Sequence, residues 1–239
     1  MKLVVAEKNS VGKAIAEALG AKTKKDGYYE GNGYIVSWAV GHLLAPAEPD
    51  SYDPKYKKWQ YEDLPIIPDK WKYIPAEKTK KQLKILLELM KRSDVDAVIN
   101  GCDAGREGEL IFRLIYMHCP VKKTMHRLWI SSMEEAAILD GFKNLRPGKD
   151  FDNLYYAALC RQRADWQVGM NFSRLFSVIY GNPLRVGRVQ TPTLAMMVDR
   201  ENKIRNFIKE PFYVVELEGQ LPKGTIIAER ERLNDRAGS

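Results

Sequence analysis

The sequence predicts an α/β fold: a parallel-sheet domain flanked by helices, followed by a mainly α-helical domain. Three observations carry that reading. Short apolar runs at residues 3–6 and 95–100 are each followed by a helical pattern, the alternation that wraps helices around a parallel sheet. The pattern then changes near Pro147-Gly148 and stays helical to about Asn206. The chain's 239 residues, 45% hydrophobic and 29% charged, are enough to bury a core and too apolar for general disorder.

Taken in order, residues 3–6 form a first strand that ends at Glu7. A helix follows over about 10–19, with Asn9 or Ser10 placed to cap it by accepting from its free amides. Residues 34–40 read as a strand. Residues 45–75 are rich in proline and aromatics, among them Trp59 and Trp71, and read as a long functional loop. A helix over about 78–91 carries Leu83, Leu86, Leu87 and Met90 on one face. Residues 95–100 read as a strand of the buried type, 106–117 as a helix and 128–131 as a third strand. Ser132 and Glu135 stand at capping-box spacing for the next helix.

Beyond 147 the helical pattern breaks at Gly181-Asn182-Pro183 and at Gly187. Thr191-Pro192 reads as a cap followed by proline, opening a helix to Arg205. Residues 212–217 alternate like a strand for which no partner is legible, and the ending reads as a cut through a larger protein.

A net charge of +7 and a pI near 9.1 favour a polyanionic partner. No apolar run reaches membrane-spanning length, and the first residues are too soon interrupted by charge for a secretory signal. Cys102, Cys119 and Cys160 form no Cys-x-x-Cys pair, as expected of free thiols in a reducing cytoplasm and not of a zinc finger. His42, His118 and His126 have no ligand spacing and read as structural. Gly12-Lys13 resembles a phosphate loop, but Glu7 stands at its first glycine and Ala14 at its hydroxyl position, so no ATP site is expected.

The chemistry lies in Glu7 and in Asp103-Ala-Gly-Arg106-Glu107-Gly-Glu109. Both segments directly follow strands, and residues just past the carboxyl ends of parallel strands line the crevice where ligands bind. Glu7 and Asp103 are therefore expected to converge, with Glu107 one helical turn from Asp103. Crowded carboxylates call for a divalent cation, and hard oxygen donors suit magnesium. Lys8 and Arg106 offer positive charge to a phosphate brought there. Glu109 reads as an ordinary helix-face ion pair.

These residues resemble the TOPRIM fold of topoisomerases, primases and some nucleases. Four later segments narrow the resemblance: 38–44 (WAVGHLL), 127–133 (RLWISSM), 163–174 (RADWQVGMNFSR) and 186–193 (VGRVQTPT). In that order, over residues 1 to about 217, the chain is similar to type IA DNA topoisomerases of the topoisomerase III kind. The resemblance implies strand cleavage, passage and resealing with magnesium and without ATP, on single-stranded DNA, in the cytoplasm at the nucleoid.

For Glu7 the resemblance implies the role of general acid and base at the DNA 3′-oxygen, which calls for a raised pKa. Many members carry a second aspartate where this chain has Gly105, so magnesium is assigned to Asp103 and Glu107 with Glu7 nearby. Arg174 and residues 185–191 (Arg185, Val186, Gly187, Arg188, Val189, Gln190, Thr191) are expected to bind the strand, with the helix start offering free amides to phosphate. Trp59 and Trp166 are expected as stacking partners, although Trp166 fits a core position better.

The implied domains are 1–147 (magnesium-binding and catalytic), 148–208 (helical, DNA-binding and incomplete) and 209–239 (the start of a β-rich gate domain). None of the twelve tyrosines is followed by Pro-Arg, the setting of the family's nucleophile. The chain is therefore expected to bind DNA without cleaving it. The alternatives are a magnesium-dependent nuclease using the same acids and a non-catalytic single-strand-binding fragment.

Overall fold

The computed structural model describes residues 1–229, which fall into two compact units divided between Arg188 and Val189. In the first unit the elements run β1 (Lys2–Ala6), α1 (Asn9–Leu19), β2 (Thr23–Lys25), β3 (Tyr28–Gly31), β4 (Tyr34–Trp38), β5 (Leu44–Pro46), β6 (Tyr73–Pro75) and α2 (Lys80–Lys91). They continue with β7 (Ala97–Gly101), α3 (Arg106–His118), β8 (Thr124–Arg127), α4 (Glu135–Lys143), β9 (Arg146–Pro147) and α5 (Asp152–Tyr180).

Seven strands form one sheet in the order β2-β3-β4-β1-β7-β8-β9. Its centre, β4-β1-β7-β8, is parallel, and both flanks are antiparallel. The parallel expectation therefore holds for the strands that matter to the site. The antiparallel ribbon of β2 and β3 was not legible because its few residues are exposed or half-buried and carry no apolar alternation.

β1 is buried on both faces from Leu3 to Ala6, as a central strand covered by helices must be. One core packs α2, α3 and α5 on one face, with Leu83, Leu86, Phe112, Ile115 and Leu159. The other packs α1 and α4, with Ile15, Trp38, Leu128 and Ile138. Gly12 lets α1 approach β4, since a Cβ there would stand 3.1 Å from the Trp38 ring. Its role is packing. α1 closes on Gly20 in the left-handed conformation (φ 73°).

Several local expectations are corrected. The N-cap of α1 is Lys8, with no side-chain cap bond, so Asn9 and Ser10 already lie inside the helix. The third strand is Thr124–Arg127 and not 128–131. The apolar Leu128 and Ile130 leave the sheet and pack toward α4, where a Cβ on Gly141 would strike both. Ser132 accepts from the Glu134 amide at 3.2 Å, and the helix starts from Glu134 without the expected capping box. The 45–75 loop is partly ordered as the β5–β6 ribbon and short 3₁₀ turns.

The second unit holds α6 (Gln190–Arg205) and the antiparallel pair β10 (Glu216–Leu221) and β11 (Gly224–Glu229). α6 is capped at Val189, so Thr191 and Pro192 sit within its first turn. The strand expected at 212–217 begins at Glu216, and β11 is the partner that the sequence left unread. Residues 230–239, with the expected cut end, lie outside the described residues.

Candidate active site at the carboxyl edge of the sheet

β1 and β7 are parallel neighbours in register, Ala6 opposite Gly101. Each chain then leaves the sheet at the same edge, which sets Glu7 and Asp103 on adjoining strand ends. Burial raises the pKa of the Cys102 thiol; Arg127 opposes the rise, while the carboxylates of Glu7, Asp103 and Glu109 add to it. Burial pushes Arg127 below its ordinary value, and the charges of the same three acids oppose that. Glu7 is half-buried, and Asp103 and Glu107 are exposed. Lys8 and Arg106, the expected phosphate partners, are exposed at the starts of α1 and α3.

α3 begins tightly against the Asp103 turn. A Cβ on Gly108 would overlap the Asp103 carbonyl oxygen and stand 2.9 Å from its amide nitrogen. Only glycine permits that approach. Gly105, the N-cap of α3, has open space where a Cβ would be, so sterics do not explain the missing second aspartate.

Glu107 has a partner that its spacing did not announce. Its Oε1 lies 2.6 Å from His42 Nε2, which draws it to the segment after β4. Among the described residues no three His, Cys, Asp or Glu side chains form a ready metal cluster. Asp103 and Glu107, with Glu7 nearby, still match magnesium in donor chemistry. That ion binds proteins through one or two carboxylates and fills its octahedron with water and substrate oxygens. His42 was missed because its partner is 65 residues away and no spacing announces the pair.

Glu109 is an ion pair as expected, but a buried one. It is 1% exposed and bridges Arg113 Nε (2.8 Å), Arg127 Nε (3.2 Å) and the Asn100 side-chain amide (2.9 Å). Arg113 passes the link on to the Gly148 carbonyl and to Asp152 of α5, each at 2.7 Å.

Beside the acids a hollow of about 460 Å³ is lined by Arg106, Glu107, Arg161, Gln162, Asp165 and Arg188. Arg188 is held there by Asp165 at 2.8 Å. The segment before it is strapped to α5: Ser173 Oγ accepts from the Val186 amide (2.9 Å) and Ser177 Oγ from the Leu184 amide (2.8 Å). Arg161, Gln162 and Asp165 share one face of α5, a grouping that was not legible because a basic helix face is usually solvated.

Arg174 differs from expectation. It is 6% exposed, donates to the Tyr56 carbonyl at 2.7 Å and lies 5.2 Å from the Trp59 ring, so it holds the 45–75 loop and does not face an open groove. Trp59 is itself exposed. Trp166 is half-buried and packs edge-on against Tyr52 and Trp71. Arg185 is exposed, while Val186 and Gly187 are half-buried. Val189, Gln190 and Thr191 are exposed and open α6 in the second unit.

A mixed sheet with Glu7 and Asp103 just past the carboxyl ends of neighbouring parallel strands is the arrangement of a Toprim-type domain, and residues 2–133 match the Toprim domain family model. The chain belongs to that family and, with residues 149–237 matching the DNA topoisomerase model, to the type IA DNA topoisomerases of the topoisomerase III kind. DNA topoisomerase 3 of Bacillus thuringiensis is 47% identical over 214 residues, covering 90% of this chain and 29% of that protein. DNA topoisomerase 3 of Shouchella clausii is 46% identical over 217 residues, covering 91% of the chain and 30% of the relative. The chain thus spans less than a third of the length of these relatives. Full-length topoisomerase I from Thermotoga maritima shares the fold, with a TM-score of 0.60 at 23% identity over 93% of this chain and 34% of that one.

Proposed function

We propose that this chain supplies the acidic, magnesium-binding half-site and part of the single-strand groove of an enzyme that cuts, passes and reseals DNA strands without ATP. The observation that supports it best is the pairing of Glu7 and Asp103 on adjoining parallel strand ends, beside a hollow lined by Arg106, Arg161 and Arg188. We assign 1–147 to the catalytic domain, 148–208 to the helical DNA-binding domain and 209–239 to the start of a β-rich domain.

In this reading Asp103 and Glu107, with Glu7 nearby, would hold magnesium, which when bound would supply charge stabilisation to the phosphodiester. Lys8 and Arg106 hold non-bridging phosphate oxygens. A tyrosine oxygen, having lost its phenolic proton to water, bonds to phosphorus as the P–O3′ bond breaks, and protonated Glu7 delivers its proton to the leaving 3′-oxygen. On resealing, Glu7 takes that proton back. None of the twelve tyrosines of this chain has the Pro-Arg setting of the family's nucleophile, and we assign the attacking tyrosine to sequence outside it.

The test uses a labelled single-stranded oligonucleotide. If Arg106, Arg161 and Arg188 each neutralise a phosphate, log K falls with log salt at a slope of about −2, roughly 0.7 per contact. The Arg188→Ala variant flattens it by about 0.7. With magnesium, a denaturing gel is expected to show binding without a covalent adduct. An adduct would place the nucleophile within this chain. Magnesium-dependent nicking without an adduct, lost in Glu7→Gln, would replace strand passage by hydrolysis. Salt-independent binding would overturn the groove.

A further inference from the structure

We infer that Arg127, a residue that reaches neither solvent nor substrate, is the positioning residue for Asp103 at the divalent-cation site. The inference rests on the magnesium-binding reading above. Arg127 ends β8 opposite Asn100 of β7 and is completely buried. Its Nη1 donates to the main-chain carbonyls of Asn100 (3.1 Å), Cys102 (2.6 Å) and Leu128 (2.9 Å), and its Nη2 to that of Asp103 (2.6 Å). One guanidinium thus gathers the carbonyls along the turn that carries the carboxylate. Its planar fork can do this, and a point-charge ammonium cannot.

A buried charge is retained at a cost unless it is paired, and Arg127 is paired beneath the turn by Glu109. Above, the rings of Trp129 and Phe151 lie 5.0 and 6.0 Å from the guanidinium. The turn gains a second constraint from the Cys102 amide, which donates to Asn100 Oδ1 at 3.0 Å. Arg127 is therefore held through Nη1, Nη2 and an ion pair at Nε, which makes no hydrogen bond, while its outer edge fixes the Asp103 main chain. Supporting shells of this kind set the orientation, and hence the affinity, of an oxygen ligand.

Arg113 provides the internal contrast. It shares Glu109 and is nearly as buried, yet its remaining bonds run to Gly148 and Asp152 and none to the Asp103 turn. A purely structural role predicts that both arginines behave alike. Positioning predicts that they do not.

The experiment is a titration of the full chain with Mn²⁺, a paramagnetic substitute for magnesium, following free ion by electron paramagnetic resonance. Melting temperatures of every variant are recorded without metal. Wild type is expected to bind, with the site weakened in Asp103→Asn. Arg127→Lys is expected to lose about 10- to 100-fold in affinity, the usual effect of removing a supporting partner. Arg113→Lys is expected to keep wild-type affinity even where its melting temperature falls as far. If Arg127→Lys does not fold, the double variant Arg127→Met/Glu109→Gln, which removes the buried pair together, is read by the same criteria. Unchanged affinity in the Arg127 variant, or equal losses in the two arginine variants, overturns the inference and leaves the magnesium site standing. No binding by wild type overturns both.

Discussion

Arg92 sits where α2 turns toward β7, and its guanidinium joins two acids. Its Nε and Nη2 donate to the two oxygens of Asp94 at 2.9 and 2.7 Å, and Nη2 also donates to Glu30 on β3 at 2.9 Å. Lys25 adds a bond to the other Glu30 oxygen at 2.6 Å. The Arg92 hydrogen bonds are the main reason that Asp94 is held down to about 2 and that Glu30 lies below its ordinary value, with Lys25 second for Glu30. Both folded values are depressed, so the unfolded chain takes up protons first as pH falls. The stabilisation is fully present above the unfolded values and disappears as pH passes through the folded ones. Thermal melts are expected to be flat in this contribution above about pH 5 and to fall from there toward pH 2. In Arg92→Met that acid-dependent drop is smaller. An equal drop in wild type and variant would mean that Asp94 and Glu30 do not govern this limb.

Elements are joined here by side chains that imitate backbone. Asn171 of α5 accepts from the Ile66 amide at 2.6 Å and donates to the Ile66 carbonyl at 2.9 Å, the pairing that a neighbouring strand would make. Together with Arg174 on the Tyr56 carbonyl, it holds the proline-rich loop to the helix. Replacing Asn171 by Ala leaves both Ile66 groups unmatched, which costs about 1–3 kcal/mol. Limited proteolysis is expected to cut the variant faster within 45–75, and an unchanged cleavage rate there would sink the idea. The sequence revealed that this loop exists but not what holds it, since Asn171 and Ile66 stand 105 residues apart. Glu7 and Asp103 were legible for the opposite reason: each directly follows an apolar run, and the parallel-strand rule supplies the convergence. Thr124–Arg127 was not legible, because hydropathy sends an arginine outward and the adjoining Leu128 and Ile130 form the better apolar run. Arg127 and Glu109 compensate each other in the interior, and compensation is invisible to a scale that scores residues singly.

At the scale of the molecule, among the described residues the buried core lies entirely within Met1–Arg188: Leu3, Phe112, Ile115 and Leu159 on one side of the sheet, Ile15, Val36 and Ile138 on the other. Among the described residues of the second unit, by contrast, none is buried, and α6 exposes Leu194, Met196, Met197 and Ile204. Apolar burial is the main source of folding free energy, at about 25 cal/mol per Å². Stability should therefore reside almost wholly in the first unit. A polypeptide of residues 1–188 is expected to melt cooperatively, within about 2–4 °C of the full chain, a shift of roughly 1 kcal/mol for a domain of this size. It should also keep the acid-dependent limb set by Arg92, since Glu30 and Asp94 are both retained. The check is a pair of calorimetric melts at neutral pH and near pH 3. A large loss of melting temperature, or loss of the cooperative transition, would show that residues beyond Arg188 hold the sheet together in a way the burial pattern does not convey.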